Sequence, residues 1–182
     1  AIINAARPII VEKKTVSEDS YIRVFKLLLL GITFLGIVVD VIILIFGKFA
    51  VSVLYGAEYI EACNALYILV FSTNLAVIGT ARGIWIVAEG YNKYTKYYVL
   101  IGAGVNFALN LIFIRILGIQ GAAIATLISQ GVVALGAPLL FKKTRSFVKI
   151  YFQSFALTGL LFSTSFSFLR KFLSGSRGKK NG

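Results

Sequence analysis

Long apolar stretches alternate with short polar segments along this chain. Four stretches, at about 24–47, 62–88, 97–116 and 121–141, contain few charged residues. Because a helix of about 20 apolar residues crosses a hydrocarbon core of roughly 30 Å, each stretch predicts a membrane-spanning helix. We therefore expect an all-α fold, a polytopic transmembrane helix bundle, over residues 24–141.

The start of the chain predicts the end of one helix, followed by a polar loop. The chain contains no methionine, so we expect a fragment of a longer protein in which residues 1–10 end a truncated preceding transmembrane helix. Residues 11–23 are polar and of mixed charge, which predicts a loop. Within it, Ser17 followed by Glu18 and Asp19 is typical of a helix start.

The later polar segments predict connections between the apolar stretches. Residues 48–61 and 89–96 predict short loops, and residues 142–149 predict a basic loop. Residues 150–169 are apolar but rich in Ser and Thr, which indicates a fifth helix that either spans the membrane or re-enters it. Residues 170–182 predict a basic, disordered tail.

Residues 102–130 predict an antiparallel hairpin of two membrane helices, with a Gly-rich joint at 117–121. Small or polar residues recur every four positions in each limb: Gly102, Asn106 and Asn110 in the first, Gly121, Ala125 and Ser129 in the second. Residues four apart share a helix face, and small residues let membrane helices approach closely. We expect these residues to pack the helices. The alternative is that Asn106 and Asn110 bind substrate.

Composition and charge favour a membrane protein and predict its orientation. Hydrophobic residues make up 58% of the chain and the mean hydropathy is +0.87. The net charge is +12, but the basic residues lie between apolar stretches, so we expect no nucleic-acid partner. One side carries Arg7, Lys13, Lys14, Arg23, Lys26, Lys93, Lys96, Lys142, Lys143, Arg145 and Lys149, whereas the other carries Lys48 and Arg115. Because Lys and Arg concentrate in cytoplasmic loops, we expect a cell-membrane protein with cytoplasmic loops at 11–23, 89–96 and 142–149.

The residue types present exclude several kinds of chemistry. Histidine is absent and Cys63 is the only cysteine, so we expect no disulfide within the chain, no metal site and no His-dependent catalysis. The sequence contains no recognisable paired carboxylates, no nucleophile with a base and no phosphate-binding Gly-rich loop. We therefore expect a protein that is not an enzyme and uses no cofactor.

Two charged residues inside the apolar stretches are candidate functional residues. An isolated carboxylate at membrane depth is costly, so Asp40 is a candidate for binding a coupling proton or cation. Alternatively, Arg115 or a helix outside this chain holds it. At helical periodicity Asn64, Asn74 and Arg82 form one polar arc, and we expect them to bind substrate. An arginine that reaches the inner interface is the alternative for Arg82.

Two motifs resemble a known transporter family. The first is Asn106-x3-Asn110 with Gly118-x2-Gly121-Ala122-Ala123-Ile124-Ala125-Thr126-x2-Ser129, and the second is Leu54-Tyr55-Gly56-Ala57-Glu58-Tyr59 with Ala62 and Leu66. Over about residues 7–143 the chain resembles the polysaccharide transporter, or O-antigen (lipid-linked oligosaccharide) flippase, family of the multidrug/oligosaccharidyl-lipid/polysaccharide exporter superfamily. The resemblance implies a C-terminal fragment, from the second lobe of a two-lobe, MATE-like transporter. The apolar stretches would then be helices nine to twelve, and residues 150–169 a thirteenth.

The resemblance also implies a function. It implies that polyprenyl-diphosphate-linked oligosaccharide is flipped across the cytoplasmic membrane by alternating access, for cell-surface polysaccharide biosynthesis. The implied partners are this lipid-linked oligosaccharide, membrane lipids and an N-terminal lobe of the same polypeptide. A guanidinium such as that of Arg82 would suit the diphosphate. Two alternatives stay open: a multidrug exporter of the same superfamily, with Asp40 as the coupling carboxylate, or a membrane-embedded glycosyl polymerase or ligase.

Overall fold

A computed structural model describes residues 2–156, and these residues form an all-α bundle, which confirms the expected fold class. The helices are α1 (Ile2–Val16), α2 (Glu18–Tyr55), α3 (Cys63–Ala88), α4 (Thr95–Gly131), α5 (Ala137–Leu140) and α6 (145–156). Short 3-10 helices at Ala57–Ala62 and Asn92–Tyr94 and a π-helical stretch at Val132–Gly136 connect them. The predictions for residues 157–169 and 170–182 lie outside the described residues.

The segment at residues 11–23 is almost entirely helical. α1 continues past Pro8, and Ser17 alone separates it from α2. Ser17 has an extended backbone (φ −162°, ψ 132°), and Glu18 and Asp19 form the first turn of α2, where carboxylates stabilise the positive end of a helix. The predicted helix start is confirmed, whereas the segment expected to be a loop is helical apart from Ser17. The Glu and Lys residues that make this segment polar are also good helix formers.

The first apolar stretch lies in a helix far longer than the stretch itself. α2 has 38 residues, so at 1.5 Å per residue it is about 57 Å long, nearly twice the roughly 30 Å of a hydrocarbon core. It includes most of the loop expected at 48–61, and Gly56 (φ 100°) ends it before a 3-10 helix leads into α3. Few residues other than glycine adopt this backbone conformation, so Gly56 determines where α2 stops.

α4 is a hairpin rather than one continuous helix. Gly118, with φ 57° and ψ −131°, divides it into a first limb (95–117) and a second limb (119–131). This turn lies at the predicted joint. Asn106 of the first limb donates a hydrogen bond to Ser129 of the second at 3.0 Å, so the limbs are antiparallel and adjacent.

Small residues let the two limbs approach closely. Gly121 lies against the backbone carbonyl group of Phe113, and a Cβ at this position would clash with it. Ala125 and Ser129, at the next two turns of the same face, are 0% and 5% exposed. Close backbone contact across small side chains is the packing that stabilises helix pairs in lipid.

The buried core includes a cluster of aromatic rings at one end of the bundle. Phe25 of α2, Trp85 of α3 and Phe147 of α6 are each at most 2% exposed. The ring of Phe147 lies 6.3 Å from that of Phe25 and 5.8 Å from that of Trp85, between centroids. At the same end, Lys14 of α1 forms an ion pair with Glu89, the residue that follows α3. These contacts bring the ends of four helices together.

α6 makes the basic loop expected at 142–149 shorter than predicted. The chain turns at residues 141–144 and is helical from residue 145. One face of α6 is buried at a helical spacing, with Phe147, Ile150, Tyr151 and Ser154 each at most 9% exposed. The polar character of the segment reflects its opposite, exposed face, which is why the sequence suggested a loop. The stretch predicted at 150–169 begins inside α6 and continues beyond the described residues.

Most of the apolar surface of the long helices faces outward. Among the described residues three stretches are long and apolar enough to cross a membrane: Glu18–Tyr55, Ala57–Ala88 and Asn92–Leu140. Only 17–28% of the most apolar part of each is buried inside the protein. Apolar surface of this extent suits lipid rather than water. The chain is therefore a membrane protein, and the Gly118 turn divides the third stretch into two limbs.

The close contact at Gly121 leads to a prediction about stability. Gly121→Ala should lower the free energy of unfolding by about 2 kcal/mol, because the added methyl group must push the limbs apart. Gly104→Ala, in the first limb, has no atom within 4 Å of the new Cβ and should be neutral or stabilising by up to about 1 kcal/mol. Thermal unfolding in detergent measures both. Equal effects of the two substitutions would contradict the packing described.

Candidate functional site

Arg82 is buried between α3 and the hairpin. Its side chain is 7% exposed, and its Nη1 donates a hydrogen bond to the backbone carbonyl of Val133. The guanidinium carbon lies 4.4 Å from the centre of the Tyr98 ring, within the range of a cation–π attraction. Because Tyr98 belongs to the first limb and Val133 follows the second, Arg82 connects α3 to both limbs.

The carbonyl of Val133 can accept this bond because the helix around it is irregular. In a regular α-helix its donor would be the N–H of Ala137, but that N–H donates to Val132, five residues back. The next residue, Pro138, has no N–H to donate. A buried carbonyl without a donor is costly, and a side chain from a neighbouring membrane helix can replace the donor. Arg82 does so here.

A chain of hydrogen bonds crosses the hairpin further along its length. Asn110 Nδ2 donates to Asn106 Oδ1 at 2.8 Å, and Asn106 Nδ2 donates to Ser129 Oγ at 3.0 Å. Ser129 Oγ in turn donates to the carbonyl of Thr126 at 2.9 Å. The amides therefore satisfy one another within an apolar segment, which is the packing role that the sequence suggests for them. Asn106 and Ser129 also line an open cavity of about 470 Å³ that reaches Tyr98.

Asp40 is buried against a different face of α3. It is 4% exposed, and Asn74 Nδ2 donates a long hydrogen bond of 3.4 Å to its Oδ2. The carboxylate therefore has a partner in α3, whereas Arg115 is exposed at the far end of the hairpin. Gly36, one turn before Asp40, makes room for the amide: a Cβ there would lie 2.5 Å from Asn74 Oδ1.

The pair formed by Asp40 and Asn74 has more acceptors than donors. Among residues 2–156, Asn74 Oδ1 is buried and accepts no hydrogen bond, and an ionised Asp40 has acceptors only. Both residues line an open cavity of about 410 Å³ whose other walls include Leu35, Val39 and Val77. A proton on the carboxyl group, or a cation beside it, would supply the donor or positive charge that this pair lacks.

The three residues expected to bind substrate are not brought together. Asn64 is exposed in the first turn of α3. Asn74 contacts α2 through Asp40, and Arg82 contacts the hairpin. Asn74 and Arg82 are separated by about 80° around the helix axis, which is enough to direct their side chains to different neighbours. The expected polar arc is therefore not a single site.

Three residues of this site were not singled out from the sequence: Tyr98, Val133 and Pro138. Pro138 carried a usable signal, because a proline inside an apolar stretch frees backbone carbonyls for side chains of other helices. No comparable signal marks Val133, whose role depends on the π-helical register and on the position of α3. Among the described residues, no three His, Cys, Asp or Glu side chains form a group that could hold a metal ion.

Comparison of the chain with protein-family models, with curated proteins and with solved structures finds no match. The fold defines an all-α membrane protein in which polar side chains are buried at two faces of α3.

The contact of Arg82 with Val133 leads to a prediction about stability. Arg82→Met should lower the free energy of unfolding by about 1–3 kcal/mol, because it leaves a buried carbonyl without a donor. Arg82→Lys should have a smaller effect, since an ammonium group can still donate. Thermal unfolding in detergent checks both, with Arg115→Met as the control, because Arg115 is exposed and should change stability by no more than about 0.5 kcal/mol.

The opposite result would contradict this role for Arg82. If Arg82→Met left stability unchanged, the bond to Val133 would not contribute to the packing of α3 against the hairpin.

Proposed function

We propose that this chain is part of a transporter that flips polyprenyl-diphosphate-linked oligosaccharide from the inner to the outer leaflet of the cytoplasmic membrane. The substrate class rests on the resemblance of residues 54–59 and 102–130 to lipid-linked oligosaccharide flippases. Transport as such is supported by apolar helices that could cross a membrane and by open cavities that contain polar side chains. Alternating access would move this bundle against a second, N-terminal lobe.

The observation that carries the proposal of transport is the buried carboxylate of Asp40. It lies near the middle of α2, in the wall of a cavity, with one long hydrogen bond from Asn74. Ionisable groups at membrane depth are costly and are characteristic of ion and substrate pathways. Asp40 is therefore our candidate for the coupling site, at which a proton or another cation would bind and leave during the transport cycle.

Arg82 has a different place in this proposal. Its side chain is 7% exposed and already donates to Val133, so a diphosphate can meet it only after α3 and the hairpin separate. Its first role is to position the hairpin against α3. Contact with substrate belongs to a conformation in which that bond is broken.

The basic segments support the orientation we propose. Lys14 is paired with Glu89, and the Nζ of Lys143 lies 6.0 Å from the centre of the Tyr91 ring. Residues 11–23, 89–96 and 142–149 therefore share one end of the bundle, and we propose that this end is cytoplasmic because Lys and Arg concentrate there.

Cysteine labelling tests the orientation. With the buried Cys63 replaced by Ala in the complete natural protein, a cysteine at Glu58 should react with an impermeant thiol reagent added outside intact cells. Cysteines at Lys93 and Lys142 should react only after the membrane is opened. All three residues are exposed, so burial does not explain a difference. Labelling of Lys93→Cys from outside would reverse the orientation.

A transport assay tests the function. Vesicles that contain the complete protein should move a fluorescent polyprenyl-diphosphate oligosaccharide between leaflets, faster with an imposed proton or sodium gradient. Asp40→Asn should abolish the dependence on the gradient and leave protein abundance near normal, because Asn cannot ionise. Glu58→Gln removes an exposed carboxylate and should have no effect. Reduced abundance of Asp40→Asn would instead assign the residue to folding.

The lining of the cavity beside Asp40 favours a second candidate function, that of a multidrug exporter. Apart from Asp40 and a few uncharged polar residues, the described residues that line the cavity of about 410 Å³ are apolar, and none is Lys or Arg. Such a cavity suits a lipophilic cation better than a diphosphate. If the vesicles moved tetraphenylphosphonium in an Asp40-dependent manner but moved no oligosaccharide, the flippase proposal would fail and the exporter would replace it.

A further inference from the structure

A basic patch covers the end of the hairpin that is joined to α3 and α6. It consists of Lys93, Lys96, Lys142, Lys143 and Arg145, all of which are exposed. Lys93 lies in the connection before α4 and Lys96 in the first turn of α4, whereas Lys142 and Lys143 lie in the turn before α6 and Arg145 is the first residue of α6. Phe141 joins the two segments, because its ring lies 4.9 Å from that of Tyr94 and 5.6 Å from that of Tyr97.

The positive charge of this patch is not neutralised by nearby carboxylates. All seven Asp and Glu residues of the chain lie at or before Glu89, so residues 90–96 and 141–145 contain none. Glu89 itself is paired with Lys14. The net charge of +12 therefore resides entirely in the half of the chain that follows Glu89.

Aromatic rings lie beside two of the basic side chains. The Nζ of Lys96 lies 5.2 Å from the centre of the Tyr97 ring, and the Nζ of Lys93 lies 5.4 Å from the centre of the Tyr94 ring. Arg145 is held by a hydrogen bond, since its Nε donates to the carbonyl of Leu139 at 2.7 Å. Tyrosine rings are enriched at the head-group level of a bilayer, where lipid phosphates are found.

We propose that the basic patch binds the phosphate head group of an anionic phospholipid of the surrounding bilayer. Clustered Lys and Arg beside membrane helices attract anionic lipids, and here two separate segments converge on one aromatic platform. Such a lipid would bridge the connection before α4 to the turn before α6 and so stabilise the packing of α6. This inference depends on the protein lying in a membrane and not on which substrate it transports.

Lipid titration tests the proposal. Phosphatidylglycerol added to the complete protein in neutral detergent should raise its unfolding temperature, whereas phosphatidylcholine should not. Lys93→Gln with Lys143→Gln should weaken the apparent affinity for phosphatidylglycerol about tenfold or more, at about 1 kcal/mol per charge. Arg23→Gln with Lys48→Gln removes two other exposed charges and should leave the affinity within about twofold.

Three results would overturn the proposal. Equal loss of affinity in the two double variants would mean that net charge alone attracts the lipid. An equal rise in unfolding temperature with inorganic phosphate would assign the patch to a soluble anion. No response of the unaltered protein to phosphatidylglycerol would exclude a lipid site.

Discussion

The bond from Arg82 to the carbonyl of Val133 is the contact that constrains how α3 and the hairpin fit together. A buried guanidinium and a buried carbonyl without a backbone donor each cost on the order of several kcal/mol in an apolar environment. The hydrogen bond between them lowers both costs, and it can form only at one axial position of α3 relative to the second limb. The Tyr98 ring, 4.4 Å from the guanidinium carbon, fixes the first limb in the same way. The apolar contacts around this centre are non-directional and could tolerate other registers.

The origin of this contact lies in a local defect. Pro138 lacks an N–H, and the N–H of Ala137 donates to Val132, so one carbonyl in the wall of the hairpin is left for another helix to satisfy. π-helical turns of this kind are frequent at functional sites. The defect has a structural consequence here, because it provides a polar acceptor within an apolar surface. Interhelical hydrogen bonds of this kind add direction to the van der Waals packing of helices in lipid.

Hydropathy and spacing predicted the bundle, the hairpin and the glycine turn, because these depend on local composition and on the four-residue repeat. Gly118 and Gly121 were recognisable for that reason. The helical state of residues 11–23 was missed, since good helix formers and loop residues can be equally polar. The partner of Asp40 was missed for a different reason. Asn74 is near in space only because Gly36 lets its amide lie against α2, and no pattern within one segment reports a contact between two helices.

The two polar contacts of α3 differ in the kind of atom that they leave without a partner. On the hairpin side, Arg82 Nη1 donates to the carbonyl of Val133 and the guanidinium lies over the Tyr98 ring, but within the described residues Arg82 Nε, a donor, is buried without an acceptor. On the α2 side, Asp40 and Asn74 offer several acceptors and one long hydrogen bond of 3.4 Å. Unpaired buried acceptors in the wall of an open cavity can be satisfied by a proton, a cation or a water molecule. This excess of acceptors is the reason why we propose that coupling takes place between α2 and α3.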